Sequence, residues 1–157
     1  MTGTWDPAPV LARLAALQRR QELWRTHEIV ESADVLGHTR LSGVPAAAPD
    51  AGDRRGDGLT ETQDVLPSLA AALTMRAVLE VLHDPRLDLP FDHNVHAAQA
   101  LAWHAPVTVG ASIETRAWIG RIKEGARAVF FDVETESRTE DGQMWLRGTS
   151  TQALRHG

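Results

Sequence analysis

VLPSLAAALTMRAVLEVLH, residues 65–83, is the stretch that decides the fold. Pro67 suits the first turn of a helix, where a missing N–H costs no bond. Alanine, leucine and methionine then dominate, and all favour the helical state. Arg76 and Glu80 are the only formal charges apart from the terminal His83, so apolar side chains cover nearly every face. A helix apolar all round is one that other elements surround. Asp84-Pro85 ends it, because the residue before a proline is driven out of the helical region.

Downstream, the pattern predicts strands over 96–104, 110–122, 126–138 and 143–154. Lys123-Glu124-Gly125 and Glu140-Asp141-Gly142 supply turns, the second containing the Asp-Gly pair of tight hairpins. Upstream, Asp6-Pro7 is a helix start, and Val10, Leu14, Leu17 and Trp24, with Leu11 alongside, recur at helical spacing. A helix over 7–25 is predicted. Residues 26–43 are polar with scattered branched side chains and read as an extended segment. Residues 44–58 concentrate proline, glycine and charge and read as a mobile loop. The whole chain, 1–157, then forms one α+β domain with an extra N-terminal helix: a long antiparallel sheet wrapped around a buried central helix, the hot-dog architecture. A single such sheet leaves an edge unpaired, so a homodimer or a heterodimer with another hot-dog subunit is expected.

Composition narrows the function classes. The 157 residues are 43% hydrophobic, enough for a core without staples, and contain no cysteine, which removes disulfides, thiolate metal sites and cysteine nucleophiles. Sixteen basic and 21 acidic residues give a net charge of -5 without long runs, which argues against nucleic acid as partner. No apolar run spans a bilayer and the N-terminus lacks a signal-peptide pattern, so a cytoplasmic protein with no membrane partner is expected.

Groups able to move protons crowd together in LPFDHNVHAAQALAWHAPVTVG, residues 89–110. Asp92 and His96 form a carboxylate and imidazole pair, the imidazole exchanging protons near neutral pH. His93, Asn94, Gln99, Trp103 and His104 are candidate pocket residues. The even spacing of His96 and His104 puts both on one face of a regular strand. His93 and His96 with Asp92 raise a metal site, but a separation of three on an extended segment sets the two rings on opposite faces and no third ligand is in view, so no metal is expected. His27, Glu28, Asp34 and His38 make a second polar cluster, read as a solvated strand. The five tryptophans, Trp5, Trp24, Trp103, Trp118 and Trp145, read as core or dimer contacts, with Trp103 a pocket wall.

Leu66-Pro67 at the head of the central helix, then Val95, His96 and Gln99, then Trp103, His104, Pro106 and Gly110, carry a family resemblance. In this order and spacing they resemble the N-terminal, non-catalytic-type repeat of the MaoC-like (R)-specific enoyl-CoA hydratases and dehydratases, and the closing strands AVFFDVETESRTEDGQMWLRGTSTQALR are similar too. The resemblance covers residues 60–154. It implies a hot-dog protein acting on an acyl thioester, a CoA or acyl-carrier-protein conjugate, by addition or loss of water across the 2,3 bond. That chemistry needs an acid or base near the reacting carbons and donors for the developing enolate, with no organic cofactor.

The family's catalytic repeat carries Asp-x-Asn-Pro-x-His. The nearest run here, Asp92-His93-Asn94-Val95-His96, has its histidine four residues on rather than five and has no proline. Three alternatives to a self-sufficient hydratase or dehydratase therefore stand. One is a hot-dog thioesterase, although no acid lies between Asp64 and Glu80 on the helix. Another is a non-catalytic subunit building the acyl tunnel of a catalytic partner. The last is a fold recruited for a cyclisation or isomerisation in a biosynthetic pathway.

Overall fold

A computed structural model describes residues 5–20, 24–31 and 67–156. The element order is α1 (Ala8–Arg20), β1 (Trp24–Ile29), α2 (Pro67–Leu82), a single 3-10 turn (Phe91–His93), β2 (Asn94–Trp103), β3 (Ser112–Glu124), β4 (Ala128–Thr139) and β5 (Met144–Arg155). The loop expected over 44–58 lies outside the described residues, as do Asp34 and His38.

Asp6 caps α1 as its position suggested, its Oδ1 accepting from the Ala8 amide at 3.0 Å. The helix is described to Arg20, and Trp24, which the pattern placed within a helix reaching 25, opens β1 instead. The reason lies in what Trp24 touches: its indole N–H donates to the Asp84 carboxylate, and the Arg86 guanidinium lies 5.1 Å from its ring centre. Those partners follow α2 in the chain, so helical spacing alone does not reveal them.

The five strands form one antiparallel sheet in the order β1-β3-β4-β5-β2. The hairpin between β4 and β5 closes where Gly142 adopts φ 83, a left-handed conformation that glycine takes without Cβ strain. α2 lies against the concave face of this sheet. Leu73, Ala77, Val78 and Val81 are buried on its inner side, while Ala72, Arg76, Leu79 and Glu80 form an exposed stripe at helical spacing. The central helix is therefore wrapped on one side, with Leu79 43% exposed on the other. Arg76 spends its charge on Glu28 of β1, 3.4 Å away.

The core has two apolar parts. One joins α1 (Val10, Leu14, Leu17) and the end of α2 to Ile119, Phe131, Val133 and Leu154; the other joins the start of α2 to Val30, Val107, Ile113, Trp145 and Leu146. Fully burying a side chain of this size contributes roughly 1.5–3 kcal/mol. Across the concave face run buried polar residues as well: Thr115 and Ser137, hydrogen-bonded at 2.8 Å, then Thr135, Ser150 and Gln152. This polar band leads to β2.

Candidate functional site

β2 is an edge strand. It pairs with β5 alone among the described residues, so its outer backbone groups have no strand partner there. Unlike the inner strands, it is exposed along most of its length.

Register fixes which side chains share a face. Asn94 pairs with Leu154, His96 with Gln152, Gln99 with Ser150, Leu101 with Gly148 and Trp103 with Leu146. Directly opposed residues project to the same side of a sheet, and Leu154 and Leu146 belong to the core under α2. Asn94, His96, Gln99, Leu101 and Trp103 thus line the concave side. The spacing from His96 to Gln99 is odd because a bulge between His96 and Ala98 shifts the register. The same bulge separates His96 from His104. Trp103, 45% exposed, shares the face of His96, while His104 lies just past the strand end with its amide donating to the Trp145 carbonyl at 2.9 Å.

The other candidates lie on the 3-10 turn before β2. Asp92 is exposed there, and no hydrogen bond or ion pair joins it to His96. His93 is half-buried, its ring 6.3 Å from that of Trp5. Trp5 is held in turn by its indole N–H donating to the Arg155 carbonyl at 2.7 Å. No group of three or more metal-ligating side chains forms among the described residues.

Two residues of this site escape a reading confined to residues 89–110. Gln152 is 1% accessible and Ser150 2%. The Gln152 amide donates to the Ser150 hydroxyl at 2.8 Å and its oxygen accepts from Asn94 Nδ2 at 3.2 Å, while the buried Asn94 Oδ1 has no hydrogen-bond partner among the described residues. The signal was present in β5: on its inward positions Leu146, Gly148, Ser150, Gln152 and Leu154, polar residues interrupt an apolar alternation. Gly148 is itself constrained, since a Cβ there would stand 2.5 Å from Thr135 Oγ1 and 3.0 Å from Leu101 Cδ2. The arrangement is a row of buried hydrogen-bonding side chains on β5 beside the edge strand, with one exposed imidazole and one exposed indole on β2.

Comparison with solved structures gives this architecture its name. The chain aligns with a subunit of the HadBC (3R-hydroxyacyl-ACP dehydratase) complex from Mycobacterium tuberculosis at a TM-score of 0.67 and 17% identity, covering 84% of this chain and 94% of that one. The fold is a hot-dog. It is shared with the R-hydratase PhaJ1 from Pseudomonas aeruginosa (TM-score 0.56, 16% identity, 86% and 80% covered). The zebra fish thioesterase superfamily member 2 also has it (TM-score 0.53, 13% identity, 84% and 74% covered). No family model matches the sequence. Among curated proteins, a UPF0336 protein of Saccharopolyspora erythraea is 32% identical over 89 residues, 57% of each chain. Another from Streptomyces griseus is 28% identical over 119 residues, 74% of each. The match with the first of these spans little more than half of that relative's length. No described helix is long and apolar enough to cross a membrane.

Proposed function

We propose that this chain is a hot-dog subunit of an acyl-thioester hydratase or dehydratase, and that it completes its cleft with a second hot-dog subunit across β2. The observation that carries this reading is the register of the edge strand: His96, Gln99 and Trp103 stand on the helix-facing side of β2, in line with buried Gln152 and Ser150, yet open to solvent. An exposed imidazole suits proton transfer at the 2,3 bond, and side-chain amides suit a thioester carbonyl or the adding water. Among the described residues this half-site lacks an acid, since no hydrogen bond or ion pair joins Asp92 to His96. A partner's carboxylate at the open edge would supply the second group. The MaoC-like resemblance and the dehydratase and hydratase among the structural neighbours support the same chemistry, as does the two-component HadBC complex for a paired arrangement.

The test is an absorbance assay on crotonyl-CoA with the chain alone and with a co-purified hot-dog subunit bearing the Asp-x-Asn-Pro-x-His motif. Loss of the 2,3 double bond only in the mixture is the expected result. Turnover by the chain alone would make it a self-sufficient hydratase. Release of free thiol would make it a thioesterase, and no consumption of any thioester with either preparation would overturn the proposal.

A further inference from the structure

We infer that a hollow on the convex face, walled by Arg121, Lys123 and Phe130, binds the phosphate end of the pantetheine arm that carries the acyl group; this rests on the acyl-thioester reading above. The hollow has a volume of about 230 Å³ and is completed by Asp132 and Thr151. It is a built feature. A bulge between Ile119 and Ile122 lets Arg121 reach Asp132, whose Oδ2 lies 3.2 Å from the guanidinium Nε. Asp132 is itself buried and fixed, its Oδ1 accepting from the Thr151 hydroxyl at 2.7 Å.

Burying a carboxylate is costly unless it is paired. Here the guanidinium meets the carboxylate through Nε on a side chain that is 75% exposed, which keeps terminal nitrogens accessible to a ligand. Those terminal donors form the fork that matches phosphate oxygens. Lys123 stands opposite Phe130 across β3 and β4 and adds a second cation on the same face. Of the nearby acids, Asp132 is paired with Arg121, Glu134 stands one row along the same face and accepts from the Thr149 hydroxyl at 2.8 Å, and Glu124 pairs in register with core residue Val129, which assigns it to the concave side.

A surface lane connects this hollow to the half-site. Phe130, Ala153 and Val95 are successive register partners across β4, β5 and β2, and the residue after Val95 is His96, facing the opposite side. Phe130 and Val95 are 38% and 47% exposed and flank small Ala153, which is itself buried between them at 7%. From Lys123 on β3 to Val95 on β2 is three strand spacings, about 14 Å, a span suited to an extended pantetheine arm. The arm would lie along this lane, turn at the start of β2 and present its thioester to His96.

Both sources of a pantetheine thioester carry the phosphate: coenzyme A as a diphosphate, a carrier protein as the phosphodiester to its serine. The experiment separates them. Affinities of the full chain, with its catalytic partner where turnover requires one, are measured for crotonyl-CoA, a crotonyl carrier protein and crotonyl-pantetheine lacking phosphate. The variants are Lys123→Ala, which leaves Asp132 paired, and Arg121→Gln with Lys123→Ala. The double variant is expected to weaken one or both phosphate-bearing ligands about tenfold, with crotonyl-pantetheine unchanged; loss for one alone names the source. Equal weakening of all three, or no weakening of either phosphate-bearing ligand, overturns the inference while leaving the thioester reading intact. Failure of the wild type to bind any of the three overturns both.

Discussion

His96 and Gln152 stand directly opposite each other across β2 and β5, the imidazole exposed and the carboxamide sealed beneath it. The two are neighbours with opposite liabilities. His96 makes no hydrogen bond or ion pair within the described residues, so its removal has little to cost the fold. Gln152 links Asn94 to Ser150.

His96→Ala is expected to change unfolding free energy by less than about 0.5 kcal/mol and to lower partner-dependent turnover of crotonyl-CoA by at least about 100-fold, the low end for a lost general acid or base. Urea denaturation and the absorbance assay read the two effects separately. Undiminished turnover would remove His96 from the chemistry.

Gln152→Leu is expected to behave in the other order. It keeps much of the buried volume but strands the Asn94 amide and the Ser150 hydroxyl, so stability should fall by about 1–3 kcal/mol. An unchanged urea midpoint would mean that the Ser150–Gln152–Asn94 chain is not worth its burial.

Gly148→Ala tests the tight crossing of β4, β5 and β2. The new Cβ meets Thr135 Oγ1 and Leu101 Cδ2 inside ordinary contact distance, and overpacking of this kind costs about 1–3 kcal/mol. Thr135→Ala removes the closer obstacle. The double variant should therefore be more stable than the sum of the single changes predicts, by at least about 0.5 kcal/mol. Strict additivity in thermal unfolding would show that Thr135 is not the obstacle.

How far the sequence carried these conclusions depends on which interactions are local. α2 was legible because composition and the Pro67 and Pro85 punctuation are properties of one segment. The β4–β5 hairpin was legible because Asp141-Gly142 encodes its own turn. The end of α1 was not, since Trp24 leaves the helical pattern for partners that lie far along the chain at Asp84 and Arg86. Nor was the facing of the histidines: one inserted residue after His96 exchanges His104 for Trp103 on the concave side, and alternation counted from the sequence has no means of registering a bulge. Gln152 was overlooked because its importance comes from a cross-strand neighbour more than fifty positions away, although its inward parity on β5 was readable.

Asp84 provides a pH test of the contacts that hold β1 to the segment after α2. Arg86 donates to its carboxylate through Nε and Nη2, the latter at 2.6 Å, and through its backbone amide at 2.8 Å; the Trp24 indole donates as well. The Arg86 side chain is the main reason that the Asp84 pKa falls from 3.8 to about 2, with burial opposing the change. A carboxyl whose folded pKa is depressed stabilises the fold fully above its unfolded value and loses that contribution as pH falls through the folded value, here between about pH 5 and 2. Arg86→Met should therefore lower stability at neutral pH, and its deficit relative to wild type should shrink steadily as urea unfolding is repeated from about pH 6 down to about pH 2. A deficit that stays constant across that window would show that Arg86 stabilises the fold by packing on Trp24 and not by holding the Asp84 charge.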